Sequence, residues 1–375
     1  RHERRPRGPG RPDPISCREP TMKPTRSALA IALTAAVISL PGCAAGATAG
    51  QSTSSPPPVP ANAPALEQAY ISVVAKVLPS VVQITTDRSL GSGVVFDTKG
   101  DIVTNAHVVG QATKFQVRLA DSPKTMPATL VGAYPPDDLA VIKLDQPPPS
   151  LHPAHFGDST KLQVGQIVMA MGNPLGLTGS VTNGIISATG RTVTEPAGSG
   201  PGATLPEIIQ TSAAVNPGNS GGALVDLAGD VIGIPTLAAL EPQAEGLGGA
   251  APGIGFAIPS HLVTDIAGQL IAHDGHVVNT HRAQLGVRVV TVVSPDGRPA
   301  GIGVVGVMPD GPAAAAGVQP GEVITAVNNT PVQQSAELAQ VLANLDPGQR
   351  VPVTLISPQG GTRSVTVTLG QLPGS

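Results

Sequence analysis

Tryptophan is absent from this 375-residue chain, and aromatic side chains of any kind make up only 2% of it. Its cores must therefore be filled by Val, Ile, Leu and Ala, and the β-branched members of that set suit a pleated, half-buried surface. Charged residues reach only 13%, and the two cysteines, Cys17 and Cys43, are too few for a disulfide framework. No phosphate-binding loop of the GxxxxGK[ST] kind occurs, so work driven by ATP hydrolysis is not indicated. No basic cluster follows residue 42, and nucleic acid is not an expected partner. What is plentiful is Gly (45) and Pro (40), which favour turns and short strands over long helices. The length allows two compact cores. Together these features predict a mainly β protein of two domains.

The chain opens on Arg1, and its first Met is Met22. Residues 1–21 are dense in Arg and Pro without hydrophobic period; they read as an upstream extension absent from the natural product, or else as a disordered basic arm. From Met22 the character changes. Lys23 and Arg26 precede an apolar run of 13 residues, Ala28–Leu40, short of the ~20 that span a bilayer. Residues 22–42 thus read as a signal peptide. Leu40-Pro41-Gly42-Cys43 resembles the lipobox of bacterial lipoproteins, which implies cleavage before Cys43, its acylation, and a membrane-anchored, extracytoplasmic protein. Ordinary signal cleavage and an uncleaved anchor are the alternatives. The first 42 residues hold eight of the 22 Lys and Arg but three of the 25 Asp and Glu, so the remainder carries a net charge of −8 rather than −3. Residues 43–65, rich in Pro, Ala and Ser, read as an extended tether.

A helical pattern occupies Leu66–Leu78, stopped by Pro79. Short β-branched runs follow at Ser80–Thr85, Ser92–Phe96, Ile102–Asn105, Lys114–Leu119, Leu139–Leu144, Ile167–Met171, Gly184–Ala188, Ala223–Val225, Val231–Thr236 and Gly255–Ile258. Many strands at short spacing, with no helices between them, predict a sandwich or barrel. A helix over Pro259–Leu270 closes this unit at about residue 279, and His273–Arg282 reads as a connector. A second strand-rich unit fills 283–372. Its one clear helix is Ala336–Leu345, with Ser335 as N-cap and Asp346-Pro347-Gly348 as stop.

Three segments carry chemistry: Asn105-Ala106-His107, Asp137-Asp138-Leu139 and Gly218-Asn219-Ser220-Gly221-Gly222. A serine hydroxyl is a poor nucleophile at neutral pH. It needs an imidazole to take its proton, and the imidazole needs a carboxylate to fix its tautomer. Glycines beside Ser220 permit a tight turn that presents the N–H groups of Gly218 and Ser220 to a developing oxyanion, with Asn219 between them. Asp137 and Asp138 both compete for the orienting role. The order His, Asp, Ser is that of the chymotrypsin fold, not of subtilisin or the α/β-hydrolases.

Residues 66–372 resemble the HtrA/DegP serine proteases throughout. The resemblance is carried by Ile209-Gln210-Thr211 before Ala213-Ala214-Val215-Asn216-Pro217-Gly218-Asn219-Ser220-Gly221-Gly222, and by Gly253-Ile254-Gly255-Phe256-Ala257-Ile258-Pro259. It implies a double β-barrel trypsin-like domain over 66–279 and a PDZ domain over 283–372, and it selects Asp138, which directly precedes the apolar strand. Ser212 departs from the family's usual Asp. Asn219 stands where digestive proenzymes carry an Asp that pairs with a new N-terminus, so activation by clipping is not expected. Ala214 and Val215 fall where trypsin-like enzymes set specificity. With no carboxylate there, a small-to-medium apolar P1 residue is favoured over a cation. The pairs His152/His155 and His273/His276 lack a third ligand of suitable spacing, and neither a metal nor any other cofactor is expected.

In the second unit Gln284-Leu285-Gly286-Val287 resembles the carboxylate-binding loop of HtrA PDZ domains, where Gly286 lets successive N–H groups converge on a peptide's C-terminus. Leu338, Val341, Leu342 and Leu345 would pack the core beside the groove. Gly311-Pro312-Ala313 and Gly321-Glu322-Val323 strengthen the match, with Glu322 in place of the commoner Asp. A structural spacer is the alternative for this unit. The resemblance further implies a homotrimer with Tyr70 near the contact. It also implies a loop over Arg191–Pro206 of low local stability, in which Arg191 relays PDZ occupancy. The function so implied is ATP-independent endoproteolysis of misfolded or exported proteins. A chaperone or PDZ scaffold with little proteolysis is the alternative.

Overall fold

The computed structural model describes residues 63–374 apart from 88, 174–178, 195–203, 217, 241–249 and 295–296. The expected extension, signal peptide, lipidated Cys43 and all of the tether before 63 lie outside the described residues. Helix α1 (Ala63–Val77) begins three residues before the expected start and is stopped, as expected, at Pro79, which sits in the one-turn 3-10 helix Leu78–Ser80.

Six strands follow: β1 (Val81–Thr85), β2 (Leu90–Val95), β3 (Asp101–Thr104), β4 (Lys114–Arg118), β5 (Thr125–Tyr134) and β6 (Leu139–Leu144), with the one-turn helix α2 (Ala106–Val109) after β3. They close in the order β1-β2-β3-β6-β5-β4. The next six repeat that connectivity: β7 (Ile167–Gly172), β8 (Ser180–Thr194), β9 (Thr204–Thr211), β10 (Ala223–Asp226), β11 (Val231–Leu240) and β12 (Ala250–Pro259) close as β7-β8-β9-β12-β11-β10. The mainly β, double-barrel expectation holds.

Side chains alternate across a strand, and here both faces are buried. On β6, Ala140, Ile142 and Leu144 fill the first barrel, while Leu139 and Val141 face outward into a core shared with the second. On β7, Val168 and Ala170 fill the second barrel, while Met169 and Met171 enter the shared core. Helix α3 (Ser260–Ala272) lays Val263, Ile266 and Leu270 against that same core. Each fully buried aliphatic of this kind contributes ~1.5–3 kcal/mol relative to exposure, and the cleft between the barrels is thereby held to one geometry.

The second unit has its own core around Ile302, Ile324, Val353 and Leu355. Strand β13 (Ala283–Gln284) precedes β14 (Val287–Val293) and β15 (Pro299–Val307); α4 (Pro312–Ala315), β16 (Val323–Val327), β17 (Thr330–Pro331), α5 (Ser335–Ala343), β18 (Arg350–Ile356), β19 (Thr362–Thr368) and β20 (Gly370–Gln371) follow. The sheet runs β14-β15-β16-β18-β19, and β20 pairs with β13. Helix α5 begins one residue earlier than the sequence suggested. Its N-cap is Gln334, not Ser335, because Gln334 and Glu337 form a reciprocal capping box. Ser335 bonds instead to the Thr291 hydroxyl on β14.

Candidate active site

Helix α2 exists to hold His107. Its single turn ends at Gly110, whose N–H bonds to Ala106 O at a φ of 54°. The turn is fastened to the start of the neighbouring strand β6 by the carbonyl of Asp138, which accepts from Ala106 N–H (3.1 Å) and from Asn105 Nδ2 (3.0 Å). Asp138 itself has left-handed backbone (φ 51°) between the 3-10 turn Pro135–Asp137 and β6. Asp is among the few residue types that visit that region readily. The conformation turns its carboxylate back toward α2. Asp138 Oδ2 accepts from His107 Nδ1 (2.8 Å), and Oδ1 accepts from the His107 backbone N–H (2.9 Å). The Thr236 hydroxyl donates to Oδ2 as well. An ionised carboxylate can only accept, so Nδ1 carries the proton and a neutral ring has its lone pair at Nε2. The carboxylate side chain is 3% exposed and the imidazole 24%, so the ring's outer edge opens on the cleft.

Asp137, the competing carboxylate, points elsewhere. It accepts from Arg282 Nη1 at 2.7 Å, and burial pushes its carboxyl above the ordinary range while Arg282 pulls it down. Arg282 also donates to Pro136 O (2.7 Å) and Thr204 O (2.6 Å). It therefore ties the connector to the turn before Asp138 and to the start of β9.

Ser220 sits on a turn of the second barrel. Its Oγ donates to the Thr236 carbonyl at 3.2 Å. Thr236, on β11, thus touches both Ser220 and Asp138, bringing the Ser220 loop and the carboxylate to one residue. Nothing in the sequence marked Thr236 beyond its place in a strand. Gly218 has a φ of 102° and Gly221 of 80°; a β-carbon on Gly221 would collide with Ser92 O and the Thr104 hydroxyl. The GNSGG run is therefore dictated by close approach to β2 and β3 as well as by turn geometry. Asn219 turns its N–H inward onto Asn216 O (3.0 Å) and is almost fully buried, so it frames the loop. Its N–H is thus paired within the loop, so Asn219 stands between the two expected donors, Gly218 and Ser220, without being one itself. Its side-chain amide lies 3.5 Å from Ala214 O, within the same loop.

Ala214 is exposed, and Val215 is buried against Gly255 of β12. Ser212, where an Asp was usual, accepts from Ile185 N–H at 3.0 Å and so still tethers β8. Arg191 lies exposed on β8 opposite Ile208, and both ends of the expected loop are strand, pairing Val193 with Leu205 and Thr194 with Thr204. Only 195–203 separates them, outside the described residues. Thr192 also bonds to Asn344 after α5, at 2.9 Å. His155 pairs with Asp230 (3.0 Å). Among the described residues no group of three or more His, Cys, Asp or Glu is arranged to hold a metal.

In the second unit Leu285 O accepts from Ala313 N–H and Gly286 O from Met308 N–H, both at 2.9 Å, and Gly286 has a φ of 72°. This loop opens a cavity of about 400 Å³ between β14 and α5, walled by Val287, Val289, Leu338 and Leu342. Gln284 and Arg282 line its rim, and Pro135, Pro136 and Thr204 of the barrels reach it as well. Val341 and Leu345 pack partly buried against the core. Glu322, 4% exposed, accepts from Arg363 Nε and Nη2 (both 2.8 Å), which holds its carboxyl below the usual range.

Comparison with known proteins agrees with this arrangement. A trypsin-like peptidase domain is matched over residues 91–234 and a PDZ domain over 303–356. The chain is 39% identical over 313 residues to the serine protease PepD of Mycobacterium tuberculosis, covering 80% of this chain and 65% of that protein. It is 40% identical over 289 residues to a protein of Brucella suis named "Probable periplasmic serine endoprotease DegP-like", covering 76% and 53%. The chain thus spans less than two thirds of the length of these curated relatives. Among solved structures, the HtrA-type protease AlgW with decapeptide matches at a TM-score of 0.55 and 33% identity, covering 81% of this chain and 99% of that one.

Proposed function

The chain belongs to the HtrA/DegP family of serine proteases, and from that premise we propose that it is an ATP-independent serine endopeptidase of the cell envelope, with 66–279 as catalytic domain and 283–372 as peptide-binding domain. The observation that carries the reading is Thr236, which accepts from the Ser220 hydroxyl and donates to the carboxylate that orients His107. In this reading the Ser220 hydroxyl swings from the Thr236 carbonyl toward His107 Nε2 when a peptide enters. Nε2 takes the proton as Oγ attacks the scissile carbonyl, and the N–H groups of Gly218 and Ser220 receive the oxyanion. His107 then protonates the leaving amine. A water repeats the sequence on the acyl-enzyme. Asp138 keeps Nδ1 protonated and stabilises the imidazolium. Ala214 and Val215, with no carboxylate beside them in the sequence, favour a small-to-medium apolar P1 side chain. Labelled casein incubated with wild type and Ser220→Ala tests the reading. Residual cleavage equal in both would refute it and leave a chaperone or scaffold.

The cavity at Gln284–Val287 is proposed to take the C-terminus of a hydrophobic peptide by strand addition to β14. The naming of the similar protease AlgW as bound to a decapeptide supports this. Because Pro135, Pro136 and Thr204 reach the same cavity, an occupant there would bear on the turn before Asp138 and on the foot of 195–203. Coupling of ~1–3 kcal/mol would change the active fraction several-fold to about a hundred-fold. Arg191→Ala should lose stimulation by such a peptide while retaining its binding. Misfolded or exported proteins are the substrates in this reading, Cys43 carries lipid at the mature N-terminus, and the assembly is a homotrimer. Tyr70, Ile71 and Val74 of α1 line an apolar depression with Val181 that would suit the contact. Detergent partitioning of wild type against Cys43→Ala, and light scattering at micromolar concentration, check the last two.

A further inference from the structure

Ser92 lies on β2 of the first barrel with no exposed surface, yet most of its polar connections cross to the second barrel. Its N–H donates to Ser220 O at 3.0 Å. Its hydroxyl donates to Gly218 O at 2.5 Å and accepts from Asn173 N–H, just after β7, at 2.8 Å. Its carbonyl accepts from the Thr104 hydroxyl at 2.7 Å. One residue therefore holds the two carbonyls that bracket the Gly218-Asn219-Ser220 segment.

The direction of a carbonyl fixes the plane of its peptide. Gly218, at a φ of 102°, has more backbone alternatives than any other residue type would have there. The peptide that joins Gly218 to Asn219 is held at both ends: its N–H, that of Asn219, bonds within the loop to Asn216 O at 3.0 Å, and its carbonyl, that of Gly218, accepts the Ser92 hydroxyl from the other barrel. The neighbours of Ser92 leave the backbone of β2 little latitude to carry that hydroxyl away. A β-carbon on Gly91 would lie 2.6 Å from Val108 Cγ1, and one on Gly93 2.7 Å from Ile102 Cγ2. Strand β2 thus presses flat against its surroundings on both sides of Ser92.

We propose that Ser92 is a positioning residue for the oxyanion site: its hydroxyl, acting through the Gly218 carbonyl, holds the loop in the conformation whose N–H groups meet the developing negative charge. The inference rests on the proteolytic reading above. It touches neither substrate nor reacting atoms, so its effect belongs to the transition state. Removing an oxyanion donor outright lowers kcat by ~10²–10³. Loosening the loop that presents the donors should cost about 10- to 100-fold in kcat with KM little changed.

The test uses the full chain and a chromogenic peptide with an apolar P1 residue. Ser92→Ala keeps the backbone bond to Ser220 O and deletes only the hydroxyl. The expected result is a fall in kcat at near-constant KM, an equal loss of affinity for a peptide boronate that mimics the tetrahedral adduct, and an unchanged affinity for the cleaved product. Ser92→Thr, which retains a hydroxyl, should recover most of kcat. Thr104→Val deletes the bond to the Ser92 carbonyl without touching Gly218. It should lower the melting temperature without the selective loss of boronate affinity, and it separates positioning from mere stability if Ser92→Ala folds poorly. Boronate affinity and kcat unchanged in folded Ser92→Ala, or lost equally in Thr104→Val, overturns the inference alone. Cleavage by wild type no faster than by Ser220→Ala removes its premise.

Discussion

Replacing Asp138 by Asn changes one atom in the site and offers no acceptable orientation for it. The two carboxylate oxygens have different partners: Oδ1 accepts the His107 backbone N–H, and Oδ2 accepts both His107 Nδ1 and the Thr236 hydroxyl. If the amide oxygen stays on the backbone N–H, the amide nitrogen faces Nδ1 and donates to it, which drives the ring proton to Nε2. The ring can then no longer take the Ser220 proton. If the amide flips, its nitrogen confronts the backbone N–H, donor against donor, at a buried site. Leaving a buried donor unsatisfied costs ~1–3 kcal/mol, so the first orientation prevails and the wrong tautomer follows. The expected fall in kcat is about 10⁴-fold, or ~5.5 kcal/mol in activation free energy. Steady-state hydrolysis of an apolar-P1 peptide anilide measures it, with circular dichroism to establish folding. Asp137→Asn is the paired control. Asp137 faces Arg282, so its loss should leave kcat within about tenfold. A folded Asp138→Asn that loses less than tenfold, or a larger loss in Asp137→Asn, would refute the assignment.

Gly221→Ala should abolish measurable cleavage, because its β-carbon meets Ser92 O and the Thr104 hydroxyl and its φ is 80°; a melting curve should also fall by ~1–3 kcal/mol. Arg282→Ala leaves Asp137 buried without its cation and should destabilise the chain by ~3–5 kcal/mol in urea titration. Arg282→Lys should restore little of that, since one ammonium cannot reproduce the three bonds the guanidinium makes to Asp137, Pro136 and Thr204. Glu322→Gln should cost ~1–3 kcal/mol at neutral pH by removing charged bonds to Arg363. The Glu322 carboxyl is held below its unfolded value, so its contribution is complete above ~4.3 and is lost as pH falls through the depressed folded value. The gap in melting temperature between wild type and variant should therefore close on acidification, and a gap that widens would contradict the pairing.

Some of the strands that the sequence revealed have both faces buried. Leu139–Leu144 reads as a continuous apolar run because alternate residues feed two different cores. Strands β5 and β9, absent from the sequence reading, each carry a proline, Pro127 or Pro206, which argues against a strand when only one dimension is visible, although Pro235 did not hide β11. In the folded chain Pro127 loses nothing as an acceptor, since its carbonyl takes the Asp145 N–H at 3.1 Å. Pro206 precedes Glu207, whose φ of 55° marks an irregularity in the β8–β9 pairing. Gly132 lies within β5 as well. It is a point where the turn after α3 comes into contact with β5, as a β-carbon there would overlap Gly275. The reach of β8 and β9 toward residues 195–203 was hidden in the same way, behind the glycines and prolines between them.

The groups proposed to react were legible and the frame around them was not, and the difference has a physical origin. In the proposed mechanism His107, Asp138 and Ser220 act through side chains whose chemistry few residue types supply, so short segments betray them. Thr236 meets Ser220 with a backbone carbonyl, a group that every residue possesses. Arg282 reaches two carbonyls besides one carboxylate. Such contacts are encoded in the packing that brings strands together and not in the identity of either partner. They also run between bodies that fold around different cores: β2 to the Ser220 turn, β11 to Asp138, the connector to β9. Each forms only when the barrels and connector are docked. On the proposed mechanism the shared core of Val81, Val103, Met169 and Met171 is therefore a determinant of catalysis as much as of stability. A Met171→Ala cavity would cost ~2–5 kcal/mol, and because that core sets the spacing of the barrels, the site would loosen before either barrel unfolded.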